Sequence, residues 1–307
     1  MVFAGERTLG LLNPASAAPL WAVSHKLPEG AAFRPRARNG VVVCGGQREI
    51  GAWQFNNGKE IWRHRASRQL GVPCLHRDLA YFGDGHELMA LRLKSGEIAW
   101  RFSAIPDTQI SYAPVASGDM LLVGPGDGRL YALSAEDGKP RWVLNRIDEW
   151  QYLRQLHVEG DVLVAGSYQE TLYGIDIASG RQLWDFSAGN FINSHHVAAG
   201  SAYLWSPTGW IYAIDIRTGA MRWRHRTTDY RGDSRNWGAL MAELVTHGNR
   251  LYALDLTNVL HVLSTETGEE IARHALPEAV RPFVLPLSGN ALVFGAGNGD
   301  LLLAGPA

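Results

Sequence analysis

Short runs of apolar residues, separated by glycine-containing turns, recur along the whole chain. In Leu172–Asp176 both alternating positions are apolar or aromatic, which is typical of a strand covered by protein on both sheet faces. The turn that follows, Asp176–Gly180, has Asp and Ser side chains that can bond to the backbone, and a Gly that accepts a positive φ. A second strand follows this turn, so the pattern predicts a β-hairpin.

One tryptophan marks the same position of nearly every hairpin. The intervals between six such tryptophans are 41, 38, 42, 42 and 39 residues, and a seventh copy falls 49 residues further on, at Ala272. Glycine stands four residues earlier in every copy except the first. The tryptophans are Trp21, Trp62, Trp100, Trp142, Trp184 and Trp223, and the glycines are Gly58, Gly96, Gly138, Gly180, Gly219 and Gly268. A constant repeat position indicates packing, and we predict that these residues dock neighbouring sheets on one another.

Further candidate strands precede each hairpin, for example Met120–Gly124 and Asp161–Gly166. Four strands in roughly 40 to 45 residues, without helical periodicity, are typical of the blades of a β-propeller. We therefore predict an all-β fold, a β-propeller of four-stranded antiparallel blades. Residues 1–307 form a single domain in this prediction.

The two ends of the chain bear on the number of blades. Ala291–Ala304 has the pattern of the second and third strands of a repeat that lacks its last strand, and Pro19–Val23 can supply that strand. The preferred prediction is seven blades, closed by joining the N- and C-terminal strands, because closure removes an exposed sheet edge. Thr8–Asn13 also has the pattern of a third strand, which leaves eight blades as the alternative.

The segments Leu130–Trp142, Leu172–Trp184 and Ile211–Trp223 each combine a Tyr-containing strand, a Gly turn and the repeated Trp. They resemble the PQQ-like, quinoprotein-type β-propeller repeat, and the resemblance covers nearly the whole chain. It implies fold rather than function, because the repeat serves quinoprotein dehydrogenases, an outer-membrane assembly lipoprotein and interaction proteins. The dehydrogenases have Ca²⁺ ligands, a catalytic Asp and often adjacent cysteines, whereas Cys44 and Cys74 are far apart here. The resemblance therefore brings no cofactor to this chain.

Composition bears on location and on the class of partner. The formal charge is -1, from 29 basic and 30 acidic residues, and the scattered basic residues argue against a nucleic-acid partner. The first ten residues include no apolar run of signal-peptide length. The sequence also has no run of about 18 apolar residues, the length that a membrane-spanning helix needs. Two cysteines fit a reducing compartment. We expect a cytoplasmic bacterial protein without membrane insertion, or a periplasmic one if a leader has been removed.

Candidate chemistry is sparse. The sequence has no HExxH, Gly-x-Ser-x-Gly, Walker loop or paired CxxC motif. We therefore expect no catalytic residue, no metal and no cofactor. His64, His225 and His274 share one repeat position, which places them on outermost strands of different blades. His195 and His196 lie in a connecting segment, where adjacent side chains point to opposite sides and do not favour joint chelation.

The loops that join one blade to the next share a face with the loops between second and third strands. They collect aromatic residues and arginines, which are enriched at interface hot spots, and residues 228–238 form an insertion there. The predicted partner-binding residues of this loop face are Tyr112, Trp150, Tyr152, Arg154, Phe191, His195, His196, Tyr230, Arg231, Arg235, Trp237 and Arg281. An alternative role for several of them is to close the central channel or cap the blades.

These observations predict a non-catalytic scaffold that binds a protein or peptide partner. The partner's identity is open, and the chain would act as a monomer or within a hetero-complex. The alternative function is a quinone- or small-ligand-binding oxidoreductase-type propeller that uses its central funnel.

Overall fold

A computed structural model describes residues 1–4, 8–13, 16, 18–21, 25–27, 30–105, 108–146, 153–167, 171–189, 194–206, 208–227, 243–255, 257–276, 280–287, 291–296 and 301–305. The chain divides into two compact units, Met1–Leu156 and His157–Ala307, and the single domain stays a prediction. All regular elements of the described residues are β-strands. None of these residues belongs to a helix that could cross a membrane.

The first unit contains four antiparallel sheets. Its strands are β1 (Val2–Ala4), β2 (Thr8–Leu11), β3 (His25–Lys26), β4 (Arg36–Arg38), β5 (Val41–Gly45), β6 (Glu49–Gln54), β7 (Glu60–Arg65), β8 (Cys74–His76), β9 (Leu79–Asp84), β10 (Glu87–Arg92), β11 (Ile98–Ser103), β12 (Val115–Ser117), β13 (Met120–Val123), β14 (Arg129–Ser134) and β15 (Pro140–Asn145). Strands β1–β3 form a three-stranded sheet, and β4–β7, β8–β11 and β12–β15 form four-stranded sheets. Neighbours in sequence are neighbours in each sheet.

The second unit repeats this organisation. Its strands are β16 (Leu153–Glu159), which begins just before the boundary, β17 (Val162–Ser167), β18 (Thr171–Asp176), β19 (Gln182–Ser187), β20 (Ser194–Ala198), β21 (Ser201–Trp205), β22 (Trp210–Asp215), β23 (Met221–Arg226), β24 (Glu243–His247), β25 (Arg250–Leu254), β26 (Val259–Ser264), β27 (Glu270–Ala275), β28 (Val280–Pro286), β29 (Leu292–Ala296) and β30 (Leu301–Ala304). Strands β16–β19, β20–β23 and β24–β27 form four-stranded sheets, and β28–β30 form a three-stranded sheet.

The strand pairing differs from the sequence prediction at the chain ends. The described residues form six four-stranded sheets and one three-stranded sheet at each end of the chain. Strand β1 pairs with β2 and gives the N-terminal segment a sheet of its own. The predicted closing strand Pro19–Val23 is not a strand in its described part. Pro19 makes an isolated bridge to Leu12, and β3 takes the outer position beside β2.

The core of each unit lies between successive sheets. One apolar cluster joins β4–β7 to β8–β11, and another joins β20–β23 to β24–β27. Third strands are buried on both faces, as in β18, where Leu172 and Ile175 are inaccessible to solvent. Fourth strands alternate between buried and exposed residues, because only one of their faces meets a neighbouring sheet.

The repeated tryptophans connect each sheet to the next. Trp21, Trp62, Trp100, Trp184 and Trp223 are buried, and Trp142 is half-buried. The indole N–H of Trp62 donates to the carbonyl oxygen of Leu93 at 2.7 Å, and that of Trp100 donates to Ala135 at 3.2 Å. Each acceptor is the residue that follows the third strand of the next sheet. The same bond recurs from Trp21 to Phe55, from Trp184 to Ile216 and from Trp223 to Thr265.

Glycine at the turn of the next sheet makes room for the indole. Gly96 has a φ of +74°, and a Cβ atom there would stand 2.6 Å from Cγ of Trp62. Gly138 is related to Trp100 in the same way. Each of these tryptophans therefore contacts the turn glycine of the next repeat. This contact between adjacent repeats explains why both residues recur at constant positions.

The first strands of neighbouring sheets lie side by side. Strand β4 contacts β8 and β8 contacts β12 in the first unit, and β20 contacts β24 and β24 contacts β28 in the second. Within each unit the sheets therefore converge at their first strands, and their fourth strands lie at the opposite edges. We call the side formed by the first strands the inner edge.

Candidate functional site: the inner edge and the loop face

The predicted loop face falls mainly on residues that the structure does not describe. Trp150, Tyr152, Phe191, Tyr230, Arg231, Arg235 and Trp237 lie outside the described residues. Arg154 is in β16 and Arg281 is in β28, and only their backbone is described. Tyr112 precedes β12 and is 36% exposed. A partner-binding role for these residues stays a prediction.

His195 and His196 are not in a connecting segment, which corrects the sequence interpretation. They belong to β20, the first strand of its sheet. His195 is 5% exposed and His196 is half-buried. The segment could be read as a loop because its apolar residues show no regular alternation. Burial leaves His195 little surface with which to contact a partner.

These two side chains meet a third histidine at the inner edge of the second unit. The ring of His157 in β16 lies 4.8 Å from that of His195 and 6.0 Å from that of His196, centroid to centroid. Nε2 of His196 is 3.0 Å from Oγ1 of Thr246 in β24. We call His157, His195 and His196 the histidine cluster. It joins β16 to β20, and the contact with Thr246 extends it to β24.

Burial governs the protonation of the histidine cluster. It lowers the pKa of His157 to about 4, and the charge of His196 acts in the same direction. Burial also lowers the pKa of His196, against the attraction of Glu159. The rings of His157 and His196 are therefore neutral at pH 7. Among the described residues, no group of three or more His, Cys, Asp or Glu side chains is arranged to hold a metal ion.

The last residue of a first strand often bonds to the first turn of the next sheet. Nε of Arg38 donates to the carbonyl oxygen of Arg77 at 3.1 Å, and Nε2 of His76 is 2.8 Å from the carbonyl oxygen of Gly118. In the second unit, Oε1 of Glu159 accepts from the backbone N–H of Gly200 at 2.8 Å. These polar groups fasten neighbouring sheets together, and the sequence interpretation missed them. A long polar residue directly before a two-residue turn is the signal that could have revealed them.

The inner edge of the first unit is rich in arginine. Arg34, Arg36 and Arg38 occupy alternate positions, and all three are exposed. Cys74 of β8 is near Arg36, whose charge lowers its pKa, but burial dominates and raises that pKa to about 11. Burial likewise raises the pKa of Cys44 to about 12. Both thiols are protonated at neutral pH and are poor nucleophiles.

Four other histidines lie on third or fourth strands, away from the inner edge. His64, His225 and His274 lie on the fourth strands β7, β23 and β27, and the ring of His64 packs 5.8 Å from that of Phe82. His261 in β26 is inaccessible to solvent, and its Nδ1 is 2.7 Å from Oε1 of Glu270. No substrate could reach this histidine without the sheet opening.

Comparison with known proteins identifies the repeat. The family profile described as outer membrane protein assembly factor BamB matches three overlapping stretches of the chain, residues 5–224, 146–279 and 207–302. The chain belongs to the BamB family. No curated protein matches the chain.

Solved structures support the fold of this BamB-family chain. BamB from Moraxella catarrhalis is 19% identical with a TM-score of 0.77, over 99% of this chain and 90% of that one. The computationally designed protein Ika8 is 14% identical with a TM-score of 0.79, over 99% and 92%. Quinohemoprotein alcohol dehydrogenase ADHIIG from Pseudomonas putida HK5 is 14% identical with a TM-score of 0.73, over 97% and 68%.

At these identities the likeness is one of fold alone. It confirms the prediction of an all-β propeller built from four-stranded antiparallel blades. It also confirms the PQQ-like repeat family. The BamB family and the dehydrogenase share the fold, so the fold does not separate a scaffold from an enzyme.

Proposed function

We propose that this BamB-family chain is a non-catalytic scaffold that binds a protein or peptide partner through its loop face, within a hetero-complex. The family description as an outer membrane protein assembly factor supports a protein partner. The observation that carries the proposal is that the repeated indole N–H groups are used to bond one sheet to the next. Five described indoles bond to the next sheet, and the repeat thereby builds a stiff support. Loops on such a support commonly carry recognition.

Affinity capture with tagged protein tests the loop face. The test variant combines Trp150→Ala, Arg235→Ala and Trp237→Ala, at positions that the sequence predicts for this face. The control combines Val143→Ala and Met221→Ala, which alter exposed residues on fourth strands. We expect wild type and control to retain the same partner and the loop variant to lose it at least ten-fold, a loss of about 1.4 kcal/mol in binding free energy.

Equal recovery by all three proteins, each with an unchanged melting temperature, would exclude this face as the binding surface. Failure of wild type to retain any protein in a stoichiometric amount would count against the scaffold itself.

The oxidoreductase alternative predicts a different result. Its support is the likeness to the quinohemoprotein alcohol dehydrogenase, which brings no individual residue of that enzyme to this chain. An absorbance spectrum and a Ca²⁺ analysis of protein purified from its own cells separate the two functions. A quinone absorption band with one equivalent of Ca²⁺ would support the oxidoreductase, and aromatic absorption alone would support the scaffold.

Cytoplasmic location is part of the proposal. Its support is the two cysteines, Cys44 and Cys74, which are both free. Cell fractionation with an antibody to the native protein tests it, and recovery in the periplasmic fraction would overturn it.

A further inference from the structure

The last sheet of the second unit has three strands, β28, β29 and β30, and β30 forms one of its edges. The other sheets of this unit each add a fourth strand beside the third. Strand β30 pairs with β29 and with no other strand that the structure describes. Pro19, at which the sequence predicts the start of a closing strand, bridges to Leu12 instead. The edge of β30 therefore presents backbone groups on which a further strand could pair.

The residues of β30 are not those of an edge built to face water. Charged side chains at exposed positions protect a strand edge from pairing with another chain. Each of the six fourth strands has such a residue, namely Arg63, Arg101, Arg141, Asp185, Arg224 and Arg273. Strand β30 consists of three leucines and an alanine, and its Leu303 is 59% exposed. It thus combines an open edge with an apolar surface.

One face of β30 is also uncovered. Leu302 and Ala304 pack against the apolar cluster that joins the last sheet to β24–β27. Leu301 and Leu303 alternate with them and point to the opposite face, where Leu301 is 38% exposed. On the corresponding face of the third strand β14, Ala132 is inaccessible to solvent. The third strand of the last sheet therefore lacks the cover that β14 has.

The preceding sheet is not built to receive a hairpin from the last one. In the sheet of β12–β15, the turn after the third strand receives two groups from the preceding sheet. Trp100 packs on this turn, and the hydroxyl of Tyr81 donates to the carbonyl oxygen of Ala135 at 2.9 Å. Facing the last sheet, Ala272 stands at the tryptophan position, and the buried hydroxyl of Tyr252 has no hydrogen-bond partner among the described residues. A fourth strand that comes without a covalent turn, from another chain, suits this arrangement.

We propose that the edge of β30 binds an extended segment of a protein partner as the fourth strand of the last sheet. The inference rests on the proposed function for the existence of a protein partner, but it uses a surface other than the loop face. The pairing continues the contact between third and fourth strands that each complete sheet already makes. Backbone hydrogen bonds give an added strand its affinity, and the fit of alternate side chains gives its specificity.

The complete sheets indicate the chemistry of this segment. On the face that meets the next sheet, Leu88 and Ala90 of β10 lie opposite Phe102 and Trp100 of β11. The two exposed leucines of β30 have the same alternate spacing. A segment with aromatic residues at alternate positions, in the order Trp-x-Phe, would cover both leucines and remove their apolar surface from water.

Fluorescence anisotropy with a labelled heptapeptide tests the proposal on the full chain. The peptide copies residues 97–103, Glu-Ile-Ala-Trp-Arg-Phe-Ser, which include the fourth strand β11. The test variant combines Leu301→Lys and Leu303→Lys. The matched control combines Met221→Lys and Ile271→Lys, at residues of fourth strands that are 49% and 50% exposed. We expect the test variant to bind the peptide at least ten-fold more weakly than wild type, and the control to stay within two-fold.

Methylation of the peptide backbone separates strand addition from unspecific apolar contact. The backbone N–H groups of an edge strand point alternately toward the sheet and away from it. Two peptides are therefore methylated at alternate nitrogens, in complementary patterns. We expect one of them to bind at least ten-fold more weakly than the unmodified peptide and the other to bind within about three-fold. Equal affinities of the two methylated peptides would overturn strand addition.

A single substitution keeps the test valid if the double variant fails to fold. Because the side chain of Leu303 is largely exposed, Leu303→Ser should leave the melting temperature unchanged and still weaken peptide binding several-fold. Equal peptide affinity of wild type and the Leu303 variants would overturn the proposal, as would an equal loss in the control.

Sedimentation velocity and partner capture distinguish the remaining outcomes. A wild-type dimer that the double lysine variant of β30 does not form would make a second copy the occupant, and would overturn the choice of a partner segment. The proposed function is tested separately by partner capture. A partner that is lost by the loop variant and retained by the β30 variant would leave the scaffold standing and refute the strand addition.

Discussion

The indole nitrogen of Trp184 donates a 2.7 Å hydrogen bond to the carbonyl oxygen of Ile216, the residue that follows the third strand of the next sheet. Both residues are buried, so neither polar group can turn to water instead. The bond therefore contributes to stability in two ways, through the contact itself and through the cost of leaving Ile216 without a donor. The same hydrogen bond recurs in other repeats, so it is a general contact between neighbouring sheets of this fold.

Trp184→Phe separates the hydrogen bond from the packing of the ring. We expect it to lower the free energy of unfolding by about 1 to 3 kcal/mol, because a buried carbonyl loses its donor. Trp184→Ala should cost about 3 to 5 kcal/mol, since it also leaves a cavity. Urea denaturation measures both losses. Met221→Ala, at a residue that is 49% exposed, is the control, and equal midpoints for Trp184→Phe and wild type would contradict the assignment.

Gly219 and Gly40 provide a matched pair, since each has a φ of +74°. A Cβ atom on Gly219 would stand 2.7 Å from Cβ of Trp184, whereas one on Gly40 would meet nothing within 4 Å. We expect Gly40→Ala to cost about 1 kcal/mol, from backbone conformation alone. Gly219→Ala should cost about 1 to 3 kcal/mol more, because it overpacks the contact with the indole.

The double variant Gly219→Ala with Trp184→Ala tests the origin of that difference. Trp184→Ala removes Cγ and Cδ2, which would stand 2.7 and 2.9 Å from the added Cβ atom, but it keeps Cβ at this position. It should therefore relieve part of the extra cost of the alanine, so the two effects should not add. Additive losses in thermal or urea unfolding would show that the contact is not the cause.

The repeated contacts explain how far the sequence could predict the structure. Trp62 and Gly96 belong to successive copies of the repeat, so their constant spacing made the packing of the sheets predictable. Chain ends interrupt the repeat, and there the prediction was incomplete. The pairing of Val2 with Leu11 joins the third-strand pattern of Thr8–Asn13 to Val2–Ala4, a strand of three residues that is too short to show a pattern. The number of sheets therefore could not be fixed from periodicity.

The inner edge was the least predictable part, for a different reason. The first strands vary in length, and β4 and β8 have only three residues each, too few to show alternation. Their contacts join residues of different repeats, such as His157 with His196. A sequence motif search looks for groups that are close along the chain, and it passes over such pairs.

The two cysteines should be nearly inert in the folded protein. Burial raises the pKa of Cys44 to about 12 and that of Cys74 to about 11, so the thiolate is scarce at pH 8. We expect slow reaction with a disulfide reagent such as DTNB under native conditions, and rapid release of two equivalents after unfolding in guanidinium chloride. A fast native phase in wild type that is lost in Cys74→Ser would show that this thiol is accessible and activated.

Acid should destabilise the second unit through His157. Burial and the neighbouring His196 hold the pKa of His157 at about 4 in the folded protein, whereas an unfolded histidine titrates near pH 6.5. The unfolded chain therefore binds a proton that the folded chain excludes as the pH falls from about 6.5 to 4, and the free energy of unfolding decreases over that window. A full shift of this size corresponds to roughly 3 kcal/mol, and His196, shifted in the same direction, adds to the slope.

The pH dependence of stability depends on the groups that surround His157. The rings of His195 and His196 face it from β20, Glu159 lies on its own strand, and Thr246 holds His196 from β24. His157→Phe keeps a ring of similar size and removes the titration, so stability should depend less steeply on pH between 6.5 and 4. His274→Phe, in the exposed part of β27, controls for the loss of a histidine. Urea unfolding at several pH values distinguishes the two variants, and parallel pH profiles for wild type and His157→Phe would refute the role of the histidine cluster.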